Sequence, residues 1–581
     1  MRPSTLEAPR PRDPSHRATT QIGALPAGAR WGRLWRRLPW IMMALCLAAF
    51  SYGVQSIPSA PADQFGLLAS ASPLYPTSIL LAALTFVVAM RLRNRAAAVI
   101  AIVLIIMTER LPRALSTEAP MYAWTYKHLG VVDYIQTHEA LARGTDIYNS
   151  WPGLFAFTAW ISDLTELSPH TLAHWITPFI HLTMAGLSYA AARAWRLSPD
   201  QALTAAFLVV TLNWVEQDYF APQAAAMILT TAILIVFGLS RDRPVATVLA
   251  LVMFAAATVT HQLTPFWVLL MAGLLIVGKQ LKPWWIAVPM AAILIGYFLF
   301  NFDMVSHYTL LSTDVVDNAQ GRLPGPMPAG QIFTSTVMRV LSVSIWLATL
   351  ATLIYRMRKG KPFWALGVLA LSPILILGGQ DYGGEAVFRV FLYSLPGCAF
   401  VLAPVLSALL RGRGIQFAAA LVAVCAAISM SAQAYFGNWF TNIVTAAEVQ
   451  AADMLLAGGD YPAYITPLVP VWPERSTAKY VDYAQFADYY DHSMMFQEEF
   501  LHSAFDTDAE YQRFMSAVES RTDASMYLVL SEQMAFYGMY FGLFPYEAVS
   551  NLREHVADDP RWRRIQDDAG VAVYLYRVEI G

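Results

Sequence analysis

The stretch Asn213–Ala224, NWVEQDYFAPQA, places Glu216, Gln217, Asp218 and Gln223 between two apolar runs, 200–215 and 222–239. Runs of this kind, approaching 20 residues and almost free of charge, mark helices that cross a lipid bilayer. A short polar link between two of them is either a solvated hairpin or one wall of a site. The choice depends on which side of the membrane the link faces, and on what else faces that side.

The rest of the chain has the same character. Of 581 residues, 56% are hydrophobic and only 14% charged, against roughly a quarter charged in soluble domains. Apolar runs bounded by charge, Pro or Gly give about 13 expected spans. They lie at 39–57, 73–91, 95–108, 170–193, 200–215, 222–239, 245–261, 264–279, 284–301, 334–355, 363–379, 386–409 and 416–435. The run 95–108 is short for a span and needs neighbours packed around it. The fold class is therefore an α-helical polytopic membrane protein. Residues 1–38, rich in Pro, Arg and Ala, read as a disordered cytoplasmic tail ahead of a transmembrane domain over 39–436. The charged stretch is too long for a cleaved signal peptide, and no small-residue cleavage site follows promptly.

Alternate connections carry the dense basic clusters: RWGRLWRR (30–37), RLRNR (91–95), RAWR (193–196), SRDR (240–243), KQLK (279–282), RMRKGK (356–361) and RGRG (411–414). Lys and Arg concentrate in short cytoplasmic loops, so these ends are assigned to the cytoplasm of a plasma (inner) membrane protein. The stretch 213–224 then faces outward, with the loops 109–169, 302–333 and 380–385 and everything after about 437.

From residue 437 to 581 the composition shifts toward acids and tyrosines, and strand-like runs appear: AYITPLVPV (463–471), MYLVLS (526–531) and VAVYLYRV (571–578). Amphipathic DTDAEYQRFMSAVES (506–520) lies between them. This reads as a small C-terminal extracytoplasmic α/β domain. Cys46, Cys398 and Cys425 all sit in apolar runs, so no disulfide framework is implied. The net charge of −2 and the lack of a basic arm leave no nucleic-acid partner to expect.

With sides assigned, the outward polar residues can be collected. TERLPR (108–113) gives Glu109 and Arg110 at the end of the third run. The loop after it holds Lys127, His128, Asp133, His138 and Asp146, and two amphipathic segments, HLGVVDYIQTHEAL (128–141) and WPGLFAFTAWISDL (151–164), suited to lying on the outer leaflet. THQLTPF adds His261 and Gln262, and GGQDYGGEAVFR adds Asp381, Glu385 and Arg389, the last two one helical turn apart. The opening stretch adds Glu216, Asp218, Tyr219 and Gln223. Trp151 and Tyr219 also suit an interfacial aromatic belt. Charge at membrane depth is costly and usually faces a protein interior or a water-filled cavity, so these residues point to an outward cavity. No HExxH, paired CxxC, Walker A or GxSxG motif occurs. No metal ligand is assigned and no cofactor is implied, although separate loops could share a divalent cation.

An acid just after an early span, a long outer loop with in-plane helices, many spans and an extracytoplasmic α/β domain together resemble the GT-C superfamily of integral membrane glycosyltransferases, from about residue 95 onward. The resemblance implies a polyprenyl-phosphate-linked sugar as donor, a glycan or lipid acceptor, and an acidic catalytic residue in the first outer loop of the module. Glu109 falls at that position as a lone acid, and no WWDYG-like sequence occurs; Asp133 is the alternative. Inverting transfer needs a carboxylate to take the acceptor proton and cations beside the leaving phosphate. Glu109 or Asp133 is expected as base. Arg110, Lys127, His261 or Arg389 are expected to supply those cations or donors, and His128 and Gln262 are expected among the substrate-binding residues. Glu216, Asp218, Tyr219, Gln223 and Glu385 are expected to position substrate. A lipid-linked glycan polymerase or ligase, a glycolipid transporter or flippase, and a purely structural role are the rival readings.

Overall fold

The computed structural model describes residues 27–306, 327–378, 385–459, 461–487, 489–521, 523–568 and 570–578. Asp381 and most of the expected 1–38 tail and 302–333 loop lie outside them. Each expected span falls on a helix: Ala27–Gly53, Leu74–Arg91, Arg95–Ser116, Pro169–Ala194, Pro199–Thr211, Pro222–Ser240, Thr247–Thr260, Thr264–Val277, Ala287–Phe300, Ala329–Arg358, Trp364–Leu371, Ala386–Arg411 and Ile415–Phe436. Among the described residues, six helices are long and apolar enough to cross a membrane by length and composition. Trp284, Val288, Ile295 and Leu299 leave one stripe of a shorter helix bare of protein, as a bilayer-facing surface requires. The chain is a multi-pass membrane protein.

Contacts between distant basic clusters show that they share one end of the bundle. Arg91 donates to the carbonyls of Leu410 (2.9 Å) and Gly412 (2.6 Å). Arg95 and Arg411 both pair with Asp200, and Arg196 pairs with Asp242. The C-terminal domain covers the opposite end.

The 95–108 run is longer in the structure than its apolar residues suggest. The helix continues through TERLPR to Ser116, with Glu109, Arg110 and Arg113 buried in its last turns. Pro112 cannot donate the usual bond to the carbonyl four residues back. That carbonyl, Thr108, instead accepts from the Tyr75 hydroxyl at 3.2 Å, so the helix passes the proline with its backbone satisfied.

Helices Ala123–His138 and Gly153–Thr165 occupy the long loop. Phe157, Trp160 and Leu164 form an exposed apolar stripe on the second, the face of an in-plane helix. Trp151, assigned above to an interfacial belt, is instead 3% exposed. It packs edge-on against Tyr297, whose hydroxyl donates to the Ser150 carbonyl.

In the C-terminal domain the three expected strands form as β1 (Ala463–Pro467), β2 (Ser525–Ser531) and β4 (Val571–Tyr576), and Asp508–Glu519 is the amphipathic helix. A strand that hydropathy did not suggest, β3 (Trp562–Asp568, WRRIQDD), pairs antiparallel with β4 at the sheet edge. Charged residues are what an edge strand carries. The order is β1-β2-β4-β3, with β1 and β2 parallel.

This domain is clasped to the loop helix Ala123–His138. Lys127 Nζ meets Glu474 at 2.6 Å, and Asp133 Oδ2 accepts from the Ala478 amide at 2.7 Å. Arg475 pairs with Asp491 (2.6 Å) and reaches Asp146 (3.4 Å), which also accepts from the Tyr480 hydroxyl. Burial, partly offset by Lys127, pushes the Glu474 carboxyl above the usual carboxylate range. Burial acts the same way on Asp491, but Lys127 and Arg475 outweigh it and hold that carboxyl below the usual range. Gly130 lies at the contact: a Cβ there would come within 2.0 Å of the Arg475 carbonyl oxygen.

Candidate active site under the C-terminal domain

In the stretch 213–224, residues 213–221 are irregular and Pro222 opens the next helix, with Trp214, Asp218, Phe220 and Gln223 all 5% exposed or less. Non-helical backbone at membrane depth is tolerated where protein surrounds it, and side chains from neighbouring elements hold this segment. Arg110 donates to the carbonyls of Asn213 (2.7 Å) and Val210 (3.3 Å), capping helix Pro199–Thr211. Arg113 donates to Asp218 Oδ1 at 2.7 Å. His128 Nδ1 donates to the Phe220 carbonyl at 2.6 Å, and Tyr122 stacks on Tyr219 with centroids 4.9 Å apart.

Asp218 is the hub. Its Oδ2 accepts from His181 Nε2 (2.8 Å) and the Tyr435 hydroxyl (3.0 Å), and Arg110 Nη1 lies 3.5 Å away. Arg110 and Arg113 sit over the Tyr435 ring, 3.7 and 4.4 Å from its centroid. Burial alone would raise the Asp218 carboxyl, but Arg113, the His181 hydrogen bond and Arg110 outweigh it and hold the group well below the usual carboxylate range. It is a fixed anion.

Glu216, two residues away, behaves in the opposite sense. Its side chain is 15% exposed and 3.6 Å from Arg113. Its Oε2 accepts from the side-chain amides of Asn438 (2.8 Å) and Asn442 (3.4 Å). Burial, only partly offset by Arg113 and Asn438, pushes its carboxyl up to about 7. Arg113 also donates to the Tyr122 hydroxyl, while its Nε is buried without a hydrogen-bond partner. Arg113 and Tyr122 line a small crevice with Tyr219, Thr177 and His174, between the loop and helix Pro169–Ala194. Glu109 is buried against Arg110 at 3.4 Å, and its Oε1 has no hydrogen-bond partner.

A second cluster lies on neighbouring helices. Gln223 Oε1 accepts from Arg389 (2.7 Å) and the Tyr393 hydroxyl (2.9 Å), and Arg389 pairs with Glu385 at 2.8 Å. Gln223 Nε2 reaches Thr264 Oγ1 at 3.4 Å. His261 Nδ1 accepts from the Leu263 and Thr264 amides, both at 3.2 Å, and so caps helix Thr264–Val277. Gln262 is half-buried beside it.

The structure thus joins Glu109, Arg110, Glu216 and Asp218 in one network and Gln223, His261, Glu385 and Arg389 in another. Lys127 and Asp133 belong to the domain clasp. The first network also contains Arg113, His181, Tyr435 and Asn438, which the sequence reading left out. Arg113 sits one helical turn beyond Arg110, and His181 is an ionisable residue inside a span; both are signals of function or pairing. Tyr435 and Asn438 lie at the end of an apolar run with no such mark. Among the described residues, no group of three or more His, Cys, Asp or Glu converges as a metal site; the carboxylates of this network face guanidinium, imidazole, hydroxyl and amide donors.

No family model matches the chain, and no curated protein matches it. Solved structures do. The oligosaccharyltransferase of Archaeoglobus fulgidus, tethered with an acceptor peptide containing the NVT sequon, is 12% identical with a TM-score of 0.46, covering 83% of this chain and 74% of that one. The same enzyme in complex with Zn and sulfate gives 12% and 0.46, over 75% and 68%. ArnT from Cupriavidus metallidurans bound to undecaprenyl phosphate is 11% identical with a TM-score of 0.44, covering 83% of this chain and 97% of that one. Over most of its length, then, the chain is similar to these two proteins, at low identity.

Proposed function

We propose that the chain is a membrane glycosyltransferase that moves a sugar from a polyprenyl-phosphate donor to a cell-envelope glycan or lipid. The reaction takes place beneath the C-terminal domain, on the extracytoplasmic face. What carries the reading is the pairing of a partly accessible carboxyl, Glu216, with a guanidinium, Arg113, 3.6 Å away, where Arg113 also lines a small crevice. Inversion needs one displacement. The acceptor hydroxyl attacks the anomeric carbon, its proton passes to Glu216, and the anomeric carbon–oxygen bond breaks to release polyprenyl phosphate. A base titrating near 7 suits that transfer, and the Arg113 guanidinium supplies positive charge for the leaving phosphate. Glu216 takes the place first expected of Glu109 or Asp133: Asp133 is bonded to the Ala478 amide, and Glu109 is more deeply buried.

The test is sugar transfer in proteoliposomes with a panel of polyprenyl-phosphate sugars. Glu216→Gln is expected to lose about 10²–10⁴-fold in rate, and Asp133→Asn to keep most activity. Full activity in Glu216→Gln overturns the base assignment. Solute uptake without transfer overturns the enzyme reading in favour of a transporter.

A further inference from the structure

Away from the bundle, the C-terminal domain carries a cavity of about 540 Å³, within the size range of small-molecule sites. It lies among the end of β2, the β3–β4 hairpin and helices Glu532–Tyr540 and Ala548–Asp558. Glu532, Tyr546, Arg553, Glu554, Asp567 and Tyr574 line it, and none belongs to the network above. Arg553 pairs with Asp567 across the floor, and the Tyr574 hydroxyl donates to the same carboxylate at 3.5 Å. Tyr546 is 51% exposed, and Glu532 and Glu554 are exposed as well. The hairpin turns through Gly570 at φ +81°. That left-handed backbone favours glycine, and it brings the turn beside the Glu532 side chain.

An accessible aromatic ring beside carboxylates and a guanidinium matches the two surfaces of a sugar, an apolar C–H face and a rim of hydroxyls. Three carboxylates against one guanidinium select against an anionic glycan. The position matters as much as the chemistry. Helix Glu532–Tyr540 starts in the cavity, and its nine residues span roughly 13 Å. At its other end Phe536 and Tyr540 pack into the bundle core, and the Tyr540 hydroxyl donates to the Gly437 carbonyl at 3.3 Å. The next residue is Asn438, which holds Glu216.

We propose that this cavity binds a neutral or amine-bearing acceptor glycan, on Tyr546 and the carboxylates Glu532 and Glu554, and hands its end to Glu216; the inference rests on the glycosyltransferase reading. It is tested on the full chain in lipid nanodiscs by titrating a glucosamine tetramer, its N-acetylated neutral counterpart and a uronic-acid tetramer. The first two are expected to bind, and the third not. Tyr546→Ala weakens both binders about tenfold, and Glu532→Gln with Glu554→Gln weakens only the amine-bearing one. Failure of both tetramers to bind, equal binding by Tyr546→Ala, or preference for the uronic-acid tetramer overturns the proposal. Glu216→Gln should bind the tetramers as the wild type does. If it also retains transfer, the base assignment fails while the binding site stands.

Discussion

Glu216 and Asp218 are two residues apart and carry the same functional group, yet the structure separates their roles. Asp218 is surrounded by donors from three helices, and Glu216 meets two amides and an edge of solvent. Because burial lifts the Glu216 carboxyl to about 7, its proton leaves as pH rises through that value. The transfer rate should therefore climb between about pH 6 and 8 with a one-proton slope, and Glu216→Gln should abolish that limb; an unchanged profile in the variant assigns the proton elsewhere. Asp218 has the opposite sign. Its folded-state affinity for protons is below that of a free carboxyl, so its contribution to stability is complete above the ordinary range near 3.8 and is lost on acidification below it. Asp218→Asn strands Arg113 and Arg110 and should cost roughly 3–5 kcal/mol, read as a fall in thermal midpoint in detergent. At this scale the sequence was only half legible. TERLPR and VEQD showed that charges enter the membrane end and hold the two arginines and the acid they fix, but no local spacing pairs them, and His181, Tyr435 and Asn438, which complete the surroundings of Asp218 and Glu216, come from far away in the chain.

Among the elements, the legible ones were those whose pattern is local. Long apolar runs became helices, and short apolar runs rich in β-branched and aromatic residues became β1, β2 and β4. The misjudged ones owe their state to distant partners. The third helix runs eight residues past its apolar stretch because Tyr75 serves its proline gap and Asp218 neutralises its arginines. β3 is a strand because β4 offers a ladder to a charged sequence. The loop helix Ala123–His138 is likewise defined by what it touches. Its Gly130 lets the Arg475 backbone approach, so Gly130→Ala should pry the clasp apart. Hydrogen exchange is expected to rise over residues 473–482 while the bundle helices keep their protection. Unchanged exchange there would show that the clasp does not hold the domain.

For the whole molecule, the basic clusters around 91–95, 193–196, 240–243 and 411–414 meet in contacts away from the C-terminal domain, and with the other basic connections they predict a sidedness that labelling can read. Of the native thiols, Cys46 and Cys398 are buried and Cys425 is half-buried, so the background is low. In intact cells a membrane-impermeant maleimide should label Ser550→Cys and leave Lys361→Cys unlabelled until lysis; the reverse pattern inverts the orientation. The buried arginines carry a further consequence, for synthesis. Arg113 is made 105 residues ahead of Asp218, and Asp218 is made 217 residues ahead of Tyr435. At about 5–20 residues per second, Arg113 waits roughly 5–20 seconds for its counter-charge, and the pair waits longer for the ring that covers it. Until then the third helix is too polar to remain in lipid without help. Its stable insertion depends on chain not yet translated, and a ribosome that stalls before Asp218 leaves a nascent protein whose third helix has no settled place in the bilayer.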